Sequence, residues 1–412
     1  MILKLAIRNL LQKPLTTLLS WVLLTVSVGI ISMLLLLQGQ FEKQFTGNIK
    51  DVDMVIGAKG SPLQLILSAI YHIDAPTGNI KYAEAEKWMQ HPYVEKAIPL
   101  AYGDSYKGYS IVGTTKDYLD KYSAKILTGS LYESDFEVVA GYSLAKKLHL
   151  QTGSQFYSTH GTDGHGEEHK DKAYTVTGIL QPAGTVVDNL FIGNIESVWK
   201  IHEHHHHDDN DGEAVNASNA GSHGENDDHH GKELTAVLLK FRTPVGSVQL
   251  PRIINSQTNM MAAVPAIEMN RLFSLTGIGI DTLQYVGWGI MALSALSIFI
   301  SLFNSLKERK YELALMRTMG AKRVDLLMLL VLESVVLCIA GFIAGILLSR
   351  LAIWALSASF ESSYHFEIQP WTLNIPGGVQ LLVLTLLLGM LAASVPAIKA
   401  WFINISKTLT HE

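Results

Sequence analysis

Four long apolar runs punctuate the chain. Residues Leu15 to Leu37 read LTTLLSWVLLTVSVGIISMLLLL, 23 residues without a charge, where an α-helix needs about 20 to cross the hydrocarbon of a bilayer. Three further runs lie towards the C-terminus: Tyr285 to Phe303, Leu326 to Leu348 (carrying Glu333 and Cys338) and Val379 to Ala397. The first run is longer than the core of a secretory signal, and QGQFEKQF follows it in place of a small-residue cleavage site, so it is expected to stay in the protein. The pattern predicts one transmembrane helix, a long gap, then three more.

Within the gap the periodicity changes. VEKAIPLAY, KGYSIVGTT, KAYTVTGIL, AVLLKFRT and MMAAVP alternate or carry β-formers and read as strands. Tyr82 to Gln90 and Val245 to Gln257 read as helices, and FEVVAGYSLAKKLHLQTGSQFYS as strand, helix and strand. A mixed α+β domain is predicted. At the other end, ILKLAIRNLLQK places Lys4, Arg8 and Gln12 four apart, with Ile2, Leu3, Ala6, Ile7 and Leu10 around the other faces, as an interfacial helix requires. Pro14 supplies an elbow into the first span.

Basic residues orient the spans, because Lys and Arg are retained on the cytoplasmic side. Lys4, Arg8 and Lys13 precede the first span; Lys307, Arg309, Lys310, Arg317, Lys322 and Arg323 lie between the second and third; Lys399 and Lys407 follow the fourth. The expected organisation is therefore a cytoplasmic interfacial helix over 1–14, a transmembrane helix over 15–38 and an extracytoplasmic domain over 39–270. A stalk and second transmembrane helix follow over 271–303, then a cytoplasmic coupling loop over 304–325 and a third transmembrane helix over 326–349. An extracytoplasmic loop over 350–378, a fourth transmembrane helix over 379–398 and a cytoplasmic tail over 399–412 complete the chain.

Composition excludes several classes. A net charge of −5 leaves no basic excess to neutralise a nucleic-acid backbone. The single cysteine, Cys338, rules out an intrachain disulfide framework. GAKGS after Ile56 lacks the spacing whose backbone donors cradle phosphates, and that spacing occurs nowhere in the chain. No ATP hydrolysis of its own is expected, and the spans hold no paired acids, H-E-x-x-H or Ser/Lys arrangement of an intramembrane enzyme.

Two segments of the gap are rich in histidine: 160–169, with His160, His165 and His169, and 202–230, with His202, His204, His205, His206, His207, His223, His229 and His230. From Lys200 to Glu233 there are nine acids and two lysines and few large apolar side chains, so the segment is expected to be disordered. Imidazole and carboxylate ligate Zn²⁺ and similar ions, which makes divalent-metal binding one reading and a solvated acidic spacer the other. No firm cofactor follows. His72, His91, His149 and His365 stand apart and read as ordinary surface or packed residues.

Between the second and third spans runs SLKERKYELALMRTMGAKRVDLLMLLVLES. Read as a helix, Tyr311, Leu315 and Met319 share one side, with Leu313 and Met316 beside them, and Gly320 stops it. Such a helix either docks into a groove of a soluble partner or is a plain surface helix. The spacing E-R-x-x-E-x-x-x-x-R-x-x-G-A, here Glu308, Arg309, Glu312, Arg317, Gly320 and Ala321, with Glu333 further on, resembles the FtsX-like permeases of ABC transporters. The order of elements resembles the same family's MacB-type mechanotransmission architecture, and VVAGYSLAKKLHLQTGS with YTVTGIL resembles its periplasmic core domain.

That resemblance implies a non-catalytic permease subunit of the bacterial inner membrane, dimeric with itself or a homologue and paired with a separate ATPase that alone binds ATP. Glu308 to Ala321 would contact that ATPase. Glu333 matches a family position and is equally explained by pairing with an Arg or backbone groups of a neighbouring span. Two functional readings remain open. One is transport or export linked to zinc or another divalent ion, with a periplasmic binding or adaptor protein as partner. The other is a mechanical module acting on an extracytoplasmic lipoprotein, wall hydrolase or sensor.

Overall fold

Uninterrupted apolar sequence and a proline at the first helical position set the N-terminal elements. Helix α1 covers Ile2–Gln12, and α2 covers Pro14–Ile49, 36 residues, with Pro14 where its fixed φ and missing N–H suit a helix start. The computed structural model describes residues 2–12, 14–161, 172–208, 232–364, 371 and 377–402. They divide into two units, Lys43–Ser274 and Met1–Glu42 with Leu275–Glu412.

The first of these units is a mixed α+β domain. Its elements in order are β1 (Met54–Ala58), α3 (Pro62–Tyr71), β2 (Ile80–Lys81), α4 (Tyr82–Met89), β3 (Val94–Tyr106), β4 (Tyr109–Thr114), α5 (Asp117–Lys121), β5 (Ile126–Gly129), β6 (Glu137–Ala140) and α6 (Tyr142–Lys147). There follow β7 (Gln155–Phe156), β8 (Thr159–His160), β9 (Tyr174–Leu180), β10 (Phe191–Asn194), α7 (Ile195–Asp208), β11 (Glu233–Leu234), β12 (Ala236–Phe241), α8 (Val245–Gln257) and β13 (Met260–Ala263).

Among the described residues the main sheet runs β13-β1-β12-β3-β4-β10-β6-β9-β5, with β7 on β9 and β8 on β3, while β11 pairs β2 separately. The β10–β4 and β6–β9 pairings are parallel, the others antiparallel. Successive side chains leave a strand on opposite faces, and both faces are covered. Val55 and Leu238 point into a core with Leu65, Ile66, Tyr102 and Tyr118. Their neighbours Met54, Ile56, Val237 and Leu239 point into a second core with Leu250 and Ile254 of α8. Burial on both sides explains why AVLLKF is almost continuously apolar.

At the second histidine-rich segment the expectation of disorder from Lys200 to Glu233 is corrected over 200–208, where α7 continues through His202–His207 to Asp208; residues 209–231 lie outside the described residues. The first turns of α7 are held by buried Ile195, Val198 and Ile201, three residues apart on one helical face, and a helix so anchored propagates at little cost.

The other unit contains the apolar helices. Helix α9 covers Pro265–Glu308, α10 Lys310–Thr318, α11 Arg323–Tyr364 and α12 Gly378–Trp401. Four segments are long and apolar enough to cross a membrane: Pro14–Ile49, Asp281–Glu308, Arg323–Ser357 and Gly378–Trp401. One helix near the N-terminus and three near the C-terminus thus flank the α+β domain.

Small residues let these helices approach. Gly341 and Gly345 of α11 lie four apart and face Leu24 and Val28 of α2; a Cβ at Gly345 would sit 2.8 Å from Val28 Cβ and 2.9 Å from the Thr25 carbonyl oxygen. Hydroxyls add polar ties between helices: Ser27 Oγ donates to the Gly287 carbonyl at 3.0 Å, Ser349 Oγ to Ser32 Oγ at 3.2 Å, and Ser334 Oγ to the Gly389 carbonyl at 2.6 Å. Where lipid is as apolar as leucine, such close packing and hydrogen bonding are what associate helices.

Candidate coupling site

The chain leaves α9 at Glu308 and turns through Arg309 into α10. Leu313 and Ala314 of this short helix are buried, against a cluster that includes Leu306, Leu326, Leu329 and Leu330. Tyr311, Leu315 and Met319 face away, with exposures of 50%, 46% and 82%. The stripe foreseen from spacing is therefore the outward one, and Leu313 belongs to the packed side. Glu308 and Glu312 are exposed beside it and Arg317 is half-buried.

The turn after α10 is tightly built. Ala321 N–H donates to the Met316 carbonyl at 3.0 Å and Gly320 N–H to the Arg317 carbonyl at 3.2 Å, the paired bonds of a Schellman ending. Gly320 has φ +104°, a conformation in which a side chain is strained. Beyond it Lys322 N–H donates to Asp325 Oδ2 at 2.7 Å, which starts α11 at once. Gly320 and Ala321 thus set the angle between α10 and α11; they do not themselves form its outward stripe.

Arg309 points back. Its guanidinium hydrogen-bonds Gln12 Oε1 at the end of α1 through Nη2, and its Nε lies 3.6 Å from Glu312 Oε2. Nearby, Asn9 Nδ2 donates to Glu333 Oε1 at 2.6 Å. Glu333 is only 3% exposed. Asn9, Arg309, Glu312 and Glu333 line a small cavity of about 50 Å³ together with Leu5, Leu306 and Leu330. The expected partner of Glu333, an Arg or backbone groups of a neighbouring span, is replaced in this structure by Asn9 of α1, a residue sequence spacing did not single out.

The histidines divide differently. His160, on β8, has Nδ1 3.2 Å from Oδ1 of buried Asp104 on β3, directly across the strand pair. His202, His204, His205, His206 and His207 lie on α7, while His165, His169, His223, His229 and His230 lie outside the described residues. Among the described residues no three His, Cys, Asp or Glu side chains are grouped to hold a metal ion. His72 is packed, with Nε2 3.2 Å from Tyr118 Oη and its ring edge-on to Tyr102 at 5.0 Å.

Residues 17–215 match the family described as MacB-like periplasmic core domain, and residues 286–405 match the one described as FtsX-like permease C-terminal. Among solved structures, the periplasmic region of MacB from Actinobacillus actinomycetemcomitans is similar at 13% identity, over 55% of this chain and 95% of that one, with a TM-score of 0.34. A domain of a candidate permease protein from Porphyromonas gingivalis is similar at 12% identity, over 52% and 86%, with a TM-score of 0.25. No curated protein matches the sequence.

Proposed function

The chain belongs to the FtsX-like permeases of ABC transporters and carries a MacB-like periplasmic core domain, and from that premise we propose that α10 is the helix through which a separate ATPase drives it. FtsX-like permease domains are non-catalytic transmembrane subunits that pair with an ABC ATPase. The observation that carries the proposal is the outward stripe of Tyr311, Leu315 and Met319 on a helix whose other side is buried. An apolar stripe flanked by charge is what a groove in a soluble partner recognises. On this reading Glu308, Glu312 and Arg317 steer the encounter, Arg309 holds the helix from behind, and Gly320 and Ala321 fix its exit.

The charge asymmetry supports a reading in which α10 and both termini face the cytoplasm of a bacterial inner membrane and Lys43–Ser274 lies outside it. A pair of permeases works with the ATPase. Helices α2 and α9, 36 and 44 residues long, exceed the roughly 20 residues a bilayer needs, and their surplus favours a mechanical role: ATP-driven displacement of the spans moves the extracytoplasmic domain, which acts on a lipoprotein, hydrolase, sensor or adaptor there.

Charge reversal tests the docking. Glu312→Lys and Arg317→Glu should each reduce ATPase recovered with the full-length permease by roughly ten-fold, since repulsion replaces attraction at the interface, while membrane insertion is unchanged. Full recovery with both variants would reduce α10 to a surface helix. A second reading, that zinc or another divalent ion is cargo or regulator, has the His160–Asp104 pair in its favour, an imidazole beside a carboxylate where the first histidine-rich segment begins. Deleting 202–230 and replacing His160 by Ala should then abolish most zinc uptake measured by calorimetry on the full chain; unchanged uptake would leave those segments as spacers.

A further inference from the structure

A carboxylate in a span is costly unless something holds it. Glu333 is the one charged residue between Leu326 and Leu348, and it is buried. Helix α1 presents a matching anomaly: Ala6 is fully buried and Leu5 and Leu10 pack on the same cluster as Leu313, Leu326, Leu329 and Leu330, yet Asn9, on that same face, is polar. The two anomalies cancel in one 2.6 Å hydrogen bond. One turn along, Gln12 takes the guanidinium of Arg309, the residue that joins α9 to α10.

We propose that Asn9 and Glu333 form a clasp that makes α1 a working part of the coupling device, with Glu333 as a positioning residue. The proposal rests on the docking of an ATPase at α10. Three elements meet at the clasp. Asn9 ties α1 to α11, Gln12 ties α1 to the α9–α10 corner, and Arg309 and Glu312 brace that corner through their own ion pair. A push on α10 therefore reaches α1 and α11 together. Without the clasp, α1 meets α11 through apolar contacts such as those of Ala6, Leu5 and Leu10, which resist sliding along a helix face far less than a directional bond does. A cavity of about 50 Å³ beside these groups leaves room for a water to follow their rearrangement.

The test uses the full-length chain in nanodiscs with the ATPase that copurifies with it. Asn9→Leu and Glu333→Leu each remove the bond; Asn9→Asp with Glu333→Gln restores it with donor and acceptor exchanged. Three quantities are read: ATPase recovered, ATP hydrolysis by the complex, and hydrogen exchange over Ile2–Gln12. The clasp requires that both single variants recover ATPase within two-fold of the parent, lose hydrolysis at least ten-fold and raise exchange in α1, and that the swapped pair restores both. Unchanged exchange in the single variants, or raised exchange with hydrolysis at the parent level, overturns the clasp while docking stands. Recovery lost in the single variants makes Glu333 merely structural and overturns it as well. If no ATPase is recovered even with the parent, the docking reading fails and carries this inference with it.

Discussion

Within the α+β unit, Lys43–Ile49 at the end of α2 is held by a half-buried lysine, and pH should loosen or tighten that joint in a direction fixed by the structure. Lys121 Nζ donates to the Asn48 carbonyl at 2.8 Å and sits 3.5 Å over the Tyr122 ring. Tyr71 Oη donates to the Phe45 carbonyl at 2.8 Å, and Val186 N–H donates to Asn48 Oδ1 at 3.1 Å. Burial lowers the Lys121 pKa from 10.5 to about 7, with nearby Asp51 pulling weakly the other way. Asp51 is itself paired with Lys240 at 3.0 Å. A lysine whose folded pKa is depressed opposes the closed joint while it is charged, and the opposition fades as pH climbs from the folded towards the unfolded value.

Between about pH 7 and pH 9 the closed joint should therefore gain roughly 2 kcal/mol, a fifty-fold fall in its opening constant. His72, which burial depresses to about 3, stays neutral throughout this window. The assay is hydrogen exchange at Lys43–Ile49 in the full chain in nanodiscs, expressed as protection factors so that base catalysis of exchange cancels. The parent should gain protection with pH, and Lys121→Met should show none of that gain. Parent protection that stays flat or falls would refute the buried-ammonium reasoning.

Two further outcomes follow from the membrane unit. Gly345→Leu should destabilise the full chain by about 1–3 kcal/mol, because even a Cβ there meets Val28 at 2.8 Å, whereas Gly289→Ala, with nothing within 4 Å of its Cβ, should not; equal melting temperatures would contradict the packing of α2 on α11. With Cys338 replaced by Ser, an impermeant thiol reagent on intact cells should label a cysteine at exposed Val248 and spare one at Lys322, and the reverse labelling would invert the proposed orientation.

Much of this architecture was legible because burial leaves a period. The four apolar helices follow from length alone, and α8 runs Val245–Gln257 as its spacing predicts. Strand β10 was not legible: it is four residues, central, and buried on both faces at Phe191 and Ile192, so it has no alternation to read. Helix α7 escaped because its polar half borrows stability from Ile195, Val198 and Ile201. At the coupling site the stripe of Tyr311, Leu315 and Met319 could be seen, but which side of α10 packs inward depends on Leu306 and Leu326. The partnership of Asn9 with Glu333 spans 324 positions, and no local pattern announces it.

If α10 meets an ATPase, contact at Met319, the exposed residue that caps the helix, measures that directly. A photoreactive amino acid placed at Met319 of the full-length chain, irradiated in living cells, should crosslink to a soluble subunit carrying a phosphate-binding loop, and the adduct should vanish when Leu315→Asp is added. Crosslinks to lipid alone, or an adduct indifferent to Leu315→Asp, would contradict the claim.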